Sequence, residues 1–334
     1  MKLVWFRPKA EARPRLGAVL GNEVFDLAQA YALRPAIEAT ASKRGRGTGG
    51  IPATIKDVLA AGAMDDVRAL VRHISDTVQR YRTAKPPLAF PLADVALLPP
   101  IPDPGKFICV GKNNRTHQEE LKRNQMLAES PPEPTGFAKL PYTLVGHDAR
   151  VERPEGIKSL DYEPEMVFVI GRPVYRVKKA EALFYVAGVM LLNDLSAREI
   201  QRHEVKMATR FLTAKNMPGF APVGPYFITL DEVGDPHDLW VTCTVNGNRR
   251  MRSNTSELIF KIPDILEHYS RYIPFDPGDL FATGSPGGVA LGQANADELY
   301  LKPGDVVEVA FENLAMLRTY IVAPGEAGSK PCKS

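Results

Sequence analysis

The sequence predicts a protein of mixed α and β structure, on three observations. Short apolar runs with strand composition recur along the chain, such as Lys106–Gly111 and Val186–Leu192. Apolar residues repeat at helical spacing between Met64 and Tyr81. Beyond Ala221 most of the apolar segments again have strand composition.

The first hundred residues predict a small unit of short strands followed by helices. Gly21 and Asn22 form a turn signal that joins two of the strands in a hairpin. The glycine-rich basic stretch Ser42–Gly50 is interpreted as a solvated loop, since no phosphate-binding pattern follows a strand there. The predicted elements are strands at Lys2–Phe6, Arg15–Leu20 and Glu23–Asp26, and helices at Thr54–Ala61 and Met64–Tyr81.

Proline-rich segments mark the predicted boundaries. Pro86–Pro104 is interpreted as a linker, which divides the chain into a small N-terminal domain (1–100), a catalytic domain (101–324) and a polar tail (325–334). The segment Leu127–Pro141 is also rich in proline and fits either a mobile lid or an ordinary irregular loop. The elements predicted after residue 221 are strands at Tyr226–Leu230, Trp240–Val245, Leu280–Thr283 and Val306–Glu312, and a helical stretch at Ser256–Tyr269. Pro263 within this stretch marks either a break or the start of a second helix.

Composition is typical of a soluble globular enzyme. The chain has 334 residues, of which 44% are hydrophobic and 24% charged. A formal net charge of +3 is too small to indicate a nucleic-acid or membrane partner. Three cysteines without a CxxC motif, and an N-terminus without an apolar signal segment, predict a cytoplasmic protein.

Two glutamates stand at the start of a strand-like run. Glu163 and Glu165 alternate with Tyr162, Pro164 and Met166, so both carboxylates point to the same side of an extended segment. The run continues as a core strand, where charge is costly unless it is compensated, and a bound cation would compensate it. The alternative is an edge strand whose glutamates are solvated.

Asp194 adds a third carboxylate at the end of the apolar run Val186–Leu192. A carboxylate between a strand and a helix is a common site residue, although it can also be only a turn residue. Ser196 and Glu199 form a capping-box pattern that predicts the start of that helix. Three carboxylates without Cys or His nearby favour Mg²⁺, Mn²⁺ or Ca²⁺ over zinc.

A His-x-x-Glu pair follows the predicted strand Lys106–Gly111. Thr116 and Glu119 form a second capping-box pattern, which predicts that His117 and Glu120 share one face of a helical turn. A carboxylate beside an imidazole suits a general base. The alternative is an ordinary surface pair.

These segments, with others in the same order, make the chain resemble the fumarylacetoacetate hydrolase superfamily, most closely its acylpyruvase-like bacterial members. The resemblance runs from about Ile101 to Val322. Its further motifs are Ile108-Cys109-Val110-Gly111, Asp161-Tyr162-Glu163-Pro164-Glu165, Asn193-Asp194-Leu195-Ser196-Ala197-Arg198-Glu199-Ile200-Gln201, Ala214-Lys215-Asn216, Ala221-Pro222-Val223-Gly224-Pro225, Val245-Asn246-Gly247, Pro277-Gly278-Asp279 and Thr283-Gly284-Ser285-Pro286-Gly287-Gly288-Val289.

The resemblance implies an α+β fold, with a mixed β-sheet roll, flanking helices and a small N-terminal α+β domain, in a homodimer. It implies that Glu163, Glu165 and Asp194 bind Mg²⁺ (or Mn²⁺ or Ca²⁺). It further implies catalytic roles for His117, Glu120 and Lys215, and substrate contacts from Arg198, Gln201, Gly284 and Ser285. The chain departs from the family pattern at Lys112-Asn113-Asn114, where an aromatic residue is usual, and at Cys109-Val110, where larger members carry a further aspartate ligand.

The resemblance implies a hydrolase that cleaves a carbon–carbon bond in a 2,4-dioxo acid, such as an acylpyruvate or a fumarylacetoacetate-like compound, as in the catabolism of aromatic compounds. The cation would bind the 2-oxo acid end, and His117 with Glu120 would activate water. Tautomerisation or decarboxylation of an oxo acid such as oxaloacetate needs the same enolate stabilisation and stays open. A catalytically silent Ca²⁺-binding scaffold is the alternative from another class, and His117, Glu120 and Lys215 argue against it.

Overall fold

A computed structural model describes residues 1–33, 50–85, 87–123, 129–209 and 211–327. Within these ranges the strands are, in chain order, β1 (Lys2–Pro8), β2 (Arg15–Leu20), β3 (Glu23–Asp26), β4 (Ala89–Pro91), β5 (Val95–Leu98), β6 (Phe107–Gly111), β7 (Thr135–Ala138), β8 (Leu144–Val145), β9 (Ala149–Glu152), β10 (Leu160–Asp161), β11 (Pro164–Ile170), β12 (Val186–Asn193), β13 (Ser196–Ala197), β14 (Ala221–Thr229), β15 (Trp240–Val245), β16 (Asn248–Asn254), β17 (Leu280–Ala282), β18 (Val306–Phe311) and β19 (Ala315–Val322).

The helices are mostly short and lie between these strands. They are α1 (Leu27–Leu33), α2 (Ile55–Ala60), α3 (Met64–Asp76), α4 (Val78–Arg82), α5 (Arg115–Arg123), α6 (Arg198–Lys206), α7 (Leu212–Lys215), α8 (Leu230–Val233), α9 (Ile262–Ser270) and α10 (Ala296–Leu299). The α+β fold is therefore confirmed.

Most strands belong to one mixed sheet of twelve strands in the order β4-β3-β2-β1-β14-β12-β11-β17-β6-β7, with β5 beside β1 and β8 beside β14. A second sheet has the order β16-β15-β18-β19-β9, and β10 pairs with β13. In the larger sheet β17 and β6 are parallel, whereas β11 and β12 are antiparallel at its centre.

Successive residues of the central strands pack into different cores, as the alternation of side chains requires. Met166 and Phe168 of β11 belong to the core shared with the smaller sheet, whereas Val167 and Val169 belong to the core shared with α2 and α3. The fold therefore has three layers, with the helices, the large sheet and the small sheet stacked in that order. Strands β11 and β12 are buried on both faces, which makes their ends a rigid place for a site.

The N-terminal strands extend the large sheet, because β1 pairs with β14 as well as with β2 and β5. The predicted linker Pro86–Pro104 is wrong over much of its length, since it contains β4 and β5. Pro91, the only proline within these two strands, is tolerated because β4 is the outermost strand of the sheet, where a missing N–H costs little. The division of the chain near residue 100 stays a prediction.

Several other local predictions are confirmed. The hairpin of β2 and β3 has the predicted bounds, and the helix predicted at Thr54–Ala61 is α2, with Thr54 as its N-cap. Pro263 lies in the first turn of α9, as the start of a second helix requires. Most of Ser42–Gly50 and of the polar tail lies outside the described residues. In the part of the chain that the structure describes, every helix is too short or too polar to cross a membrane.

Candidate active site

The three predicted metal ligands meet where β11 begins and β12 ends. Pro164 pairs with Asn193 across these antiparallel strands, so the residues beside them are brought together. Glu163, Glu165 and Asp194 each offer a carboxylate oxygen, and these oxygens all lie within 4.8 Å of one another. All three residues are buried, and Asp194 is fully so. The predicted cluster is confirmed as a group that could hold a metal ion.

Three buried cations surround this carboxylate cluster. The Nζ of Lys215 lies 2.8 Å from Oε2 of Glu163 and 2.6 Å from Oδ2 of Asp194. The Nζ of Lys139 donates to the other oxygen of Asp194. The Nη2 of Arg198 lies 2.5 Å from Oε1 of Glu163. Glu163 and Asp194 are therefore already paired with protein cations.

Glu165 has a different environment. The backbone N–H of Gly284 donates to its Oε2 at 2.8 Å. Burial, and after it the charges of Asp194 and Glu163, raise the pKa of Glu165 well above its usual range. Burial would also raise the pKa of Glu163, but Arg198 and Lys215 hold it well below its usual range. One carboxylate of the cluster therefore lacks compensating charge, which a divalent cation would supply. This donor set of buried oxygens fits a hard cation.

The predicted general base His117 and its partner Glu120 lie on α5. His117 and Glu120 are both buried, and Nδ1 of His117 lies 3.5 Å from Oε2 of Glu120. The capping box predicted at Thr116 is wrong, because α5 begins at Arg115 and the Oδ1 of Asn114 accepts from the backbone N–H of Thr116. The displaced Thr116 hydroxyl instead accepts from a backbone N–H of the glycine-rich loop at residue 287.

One cavity of about 450 Å³ brings most of the predicted site residues together. It contains the carboxylate cluster, His117 and Lys215, whereas Glu120 lies behind His117 and Gly284 reaches the site through its bond to Glu165. The cavity is lined by Val110, Gly111, Lys112, His117, Leu121, Phe137, Glu163, Glu165, Asp194, Arg198, Gln201, Arg202, Val205, Lys206, Phe211, Lys215, Ser285 and Leu291.

The buried guanidinium of Arg198 bridges Asp161 and Glu163. Its Nε and Nη2 each lie 2.8 Å from Oδ2 of Asp161, and its Nη1 donates to Oε1 of Gln201 at 2.8 Å. The predicted capping box at Ser196 is wrong, because Ser196 belongs to β13, which pairs with β10, and α6 begins only at Arg198. The strand pairing positions the guanidinium between Asp161 and the carboxylate cluster.

The sequence analysis missed two charged site residues, Lys139 and Asp161. Lys139 directly follows β7, which pairs with β6. The second half of the segment predicted as a lid is therefore part of the large sheet, and the lid prediction is wrong for that half. Residues 124–128 lie outside the described residues. A lysine within the apolar stretch Phe137-Ala138-Lys139-Leu140 was the available signal for Lys139. Asp161 had a signal too, as the third acidic residue of the stretch that contains Glu163 and Glu165.

Comparison with known proteins gives consistent matches. Residues 106–322 match the family described as "Fumarylacetoacetate (FAA) hydrolase C-terminal". The chain is 35% identical over 245 residues to "Oxaloacetate tautomerase Fahd2a, mitochondrial" of Rattus norvegicus, covering 73% of this chain and 74% of that protein. It is 32% identical over 274 residues to "Oxaloacetate tautomerase YisK" of Bacillus subtilis, covering 81% and 87%. The solved fumarylacetoacetate hydrolase of Exiguobacterium antarcticum superposes with a TM-score of 0.71 at 27% identity, covering 96% and 99%.

Proposed function

The chain belongs to the fumarylacetoacetate hydrolase family, and from this premise we propose that it is a divalent-cation-dependent tautomerase of 2-oxo dicarboxylic acids such as oxaloacetate. The observation that carries the proposal is the single cavity shared by the carboxylate cluster, His117 and Lys215. The two relatives named as oxaloacetate tautomerases support the reaction and the substrate class.

Glu163, Glu165 and Asp194 would hold the cation, Mg²⁺ or Mn²⁺ in the first place. When bound, the cation would supply a Lewis-acid centre for the 2-oxo acid end of the substrate. Asp194 can keep its lysine partners at the same time, because each carboxylate oxygen has two lone pairs.

His117 is the proposed base. In the keto form, the carbon between the two carbonyl groups of oxaloacetate carries the acidic proton. The imidazole removes this proton, the C–H electron pair forms the carbon–carbon double bond, and the carbonyl π pair moves to oxygen. The oxygen then takes up a proton as the imidazolium gives one up, so the base is restored. Glu120 keeps the imidazole oriented and stabilises it once it carries the proton.

Lys215 is the proposed partner of the negative charge that develops on the substrate oxygen. Burial lowers the pKa of this lysine, but Asp194 and Glu163 raise it above its ordinary value, so the side chain is a cation. The apolar side chains Phe137 and Phe211 line the cavity near it and reduce the access of water. Charge stabilisation and the exclusion of water are thus both supplied by the protein's own side chains.

The face of α6 supports a substrate with a second carboxylate. Arg198, Arg202 and Lys206 all line the cavity at intervals of four residues, which places successive cations about 6 Å apart along the helix. The carboxylates of Glu199 and Glu204 on the same helix are turned to other segments, where they accept hydrogen bonds from backbone N–H groups. Because Arg198 is already paired with Asp161 and Glu163, Arg202 and Lys206 are the cations of this face that an anionic substrate could contact.

Hydrolysis of a 2,4-dioxo acid such as an acylpyruvate is the second candidate, supported by the apolar wall of the cavity. Leu121, Phe137 and Phe211 line it together with the charged residues and would accept a hydrocarbon tail. In this reaction His117 would remove a proton from water rather than from carbon, and the water oxygen would bond to the distal carbonyl carbon. The bond from that carbon to the pyruvate methylene would then break, its electron pair leaving as the pyruvate enolate, which the imidazolium proton converts to pyruvate.

The two candidates are separated by their products. Purified protein with Mg²⁺ or Mn²⁺ is mixed with the enol form of oxaloacetate, and the loss of enol absorbance is recorded. In parallel, acetylpyruvate is supplied and released pyruvate is measured. We expect rapid loss of the enol without pyruvate release. Pyruvate release from acetylpyruvate at a higher kcat/KM than tautomerisation would instead make the protein a hydrolase.

The role of the α6 cations is tested with Arg202→Leu. We expect a rise in KM for oxaloacetate of about tenfold, the usual size of a lost contact to a charged group. Asp297→Asn, which changes one exposed charge on α10, serves as the control. An unchanged KM for oxaloacetate in the Arg202 variant would show that Arg202 does not bind the second carboxylate of the substrate.

A further inference from the structure

We propose that Gln293 is a positioning residue that orients Glu120 toward His117; this inference rests on the proposed function, in which His117 is the base. Gln293 follows a single 3₁₀ turn, Ala290–Gly292, that closes the glycine-rich loop. Its Nε2 donates to Oε1 of Glu120 at 3.0 Å. The backbone N–H of Gly288 donates to the same oxygen at 2.7 Å. Two donors from one loop therefore hold one oxygen of the carboxylate.

The other oxygen of Glu120 is thereby left for the imidazole. Its Oε2 is buried and lies 3.5 Å from Nδ1 of His117, and neither atom makes a hydrogen bond within the part of the chain that the structure describes. A shift of about half an ångström would bring the two atoms to hydrogen-bond distance. Such long contacts are usual for catalytic pairs without substrate.

The residue before Gln293 leaves the space for this arrangement. A Cβ at Gly292 would lie 2.6 Å from Oε2 of Glu120 and 2.8 Å from its carboxyl carbon. Any other residue would push the carboxylate away from its present position. Gly292 and Gln293 thus act together, one by leaving room for the carboxylate and the other by holding it.

The loop that carries Gln293 is also tied to the carboxylate cluster. Asp161 accepts from the backbone N–H groups of Ala290 and Leu291, at 2.9 and 3.0 Å. The same carboxylate is paired with Arg198, which reaches Glu163. Glu120 is therefore positioned relative to the metal ligands through the loop, although α5 and β11 are distant in the chain.

The chemical consequence concerns the tautomer of His117. A carboxylate facing Nδ1 favours the imidazole with its proton on that nitrogen, and it leaves the lone pair of Nε2 free to act as the base. Without the Gln293 bond, the carboxylate of Glu120 can rotate. The imidazole then populates the other tautomer, in which the base nitrogen already carries a proton.

The test replaces Gln293 by methionine, which is similar in size and has no N–H to donate. We expect kcat for oxaloacetate tautomerisation to fall about tenfold or more, in line with a lost hydrogen bond to a charged group, while KM and Mn²⁺ affinity stay unchanged. Nitrogen NMR of labelled histidine should show a shift of His117 toward the tautomer protonated on Nε2. Asn295→Leu is the matched control, because this nearby amide bonds only to the exposed Glu298 among described residues.

The two readouts separate this inference from the proposed function. If the wild-type protein has no activity toward oxaloacetate or acetylpyruvate, the proposed function fails, while the tautomer measurement still tests Gln293. An unchanged tautomer population of His117 in Gln293→Met overturns the inference, even if kcat falls, because the loss then has another origin. Thermal unfolding of both variants shows whether the fold is retained.

Discussion

The carboxylate cluster and the His117–Glu120 pair are held in place by different kinds of interaction. The cluster sits on two central strands and is surrounded by Lys139, Lys215 and Arg198, all of them buried. The base pair sits on the short helix α5, and its carboxylate is fixed by hydrogen bonds from one loop. Buried carboxylates at the ends of rigid strands suit a cation site, whereas directional hydrogen bonds suit a group whose tautomer must be controlled. We therefore expect substitutions in the first region to change binding and stability, and those in the second to change rate.

The largest effect is expected from Glu165→Gln. The variant should lose its divalent-cation response and about three orders of magnitude or more in activity, since Lewis-acid stabilisation is worth several kcal/mol. Calorimetric titration with Mn²⁺ measures cation binding, and the rate of enol loss from oxaloacetate measures activity. Glu155→Gln, an exposed glutamate, is the control. Cation binding of wild-type strength in Glu165→Gln would contradict the proposed ligand set.

A loss of rate without a loss of binding is expected from His117→Ala. kcat should fall by about two to four orders of magnitude, the usual contribution of a general base. Mn²⁺ affinity should stay unchanged, because His117 is not among the three ligands. The exposed His203 of α6, changed to alanine, provides the control. Tautomerisation at the wild-type rate in His117→Ala would show that another group is the base.

Stability should respond most to Lys139→Met. Removing this cation leaves the fully buried Asp194 with one partner fewer, and breaking a buried pair typically lowers the free energy of unfolding by about 3–5 kcal/mol. Urea unfolding of the metal-free protein measures the change. Saturating Mn²⁺ should recover part of it. Lys158→Met, at an exposed position, is the control, and equal stability of the two variants would mean that Lys139 is not needed to balance the cluster.

Local patterns in the sequence predicted the parts of the site that local geometry determines. Alternation along a strand placed Glu163 and Glu165 on one side, and the end of an apolar run located Asp194. Lys139 could not be found in this way, because its burial depends on Asp194, which is 55 residues away in the chain. The capping boxes predicted at Thr116 and Ser196 are wrong because tertiary contacts use both residues differently. The hydroxyl of Thr116 accepts a hydrogen bond from the glycine-rich loop, and Ser196 pairs with β10 as part of a strand.

The same distinction applies to the fold. Strand composition and turn signals predicted β2, β3 and β12 almost to the residue. The pairing of β1 with β14 places Lys2 beside Ile228, far apart in the chain, and no local signal indicates such a partner. The resemblance to a known family supplied the α+β architecture that the patterns alone left open.

The smallest effect is expected from pH, and it contrasts Glu165 with its neighbour Glu163. In the metal-free protein the pKa of Glu165 is raised, so it keeps a proton at pH values where an ordinary glutamate has lost it. A cation must displace that proton. Apparent Mn²⁺ affinity should therefore rise with pH, by about tenfold per unit at most, and level off above the raised pKa. Glu163, with a lowered pKa, stays ionised throughout and adds no pH dependence.

The same shift gives a stability test with the sign worked out. In the unfolded chain Glu165 loses its proton near its ordinary value, earlier than in the folded metal-free protein. The folded state then binds more protons, so the contribution of Glu165 to the free energy of unfolding falls as pH rises from that ordinary value through the raised one. Comparing urea unfolding of the wild type and Glu165→Gln across this window isolates the contribution, because glutamine cannot titrate. The difference between them should grow with pH in favour of the variant, and a difference that is constant across the window would show that Glu165 carries no uncompensated charge.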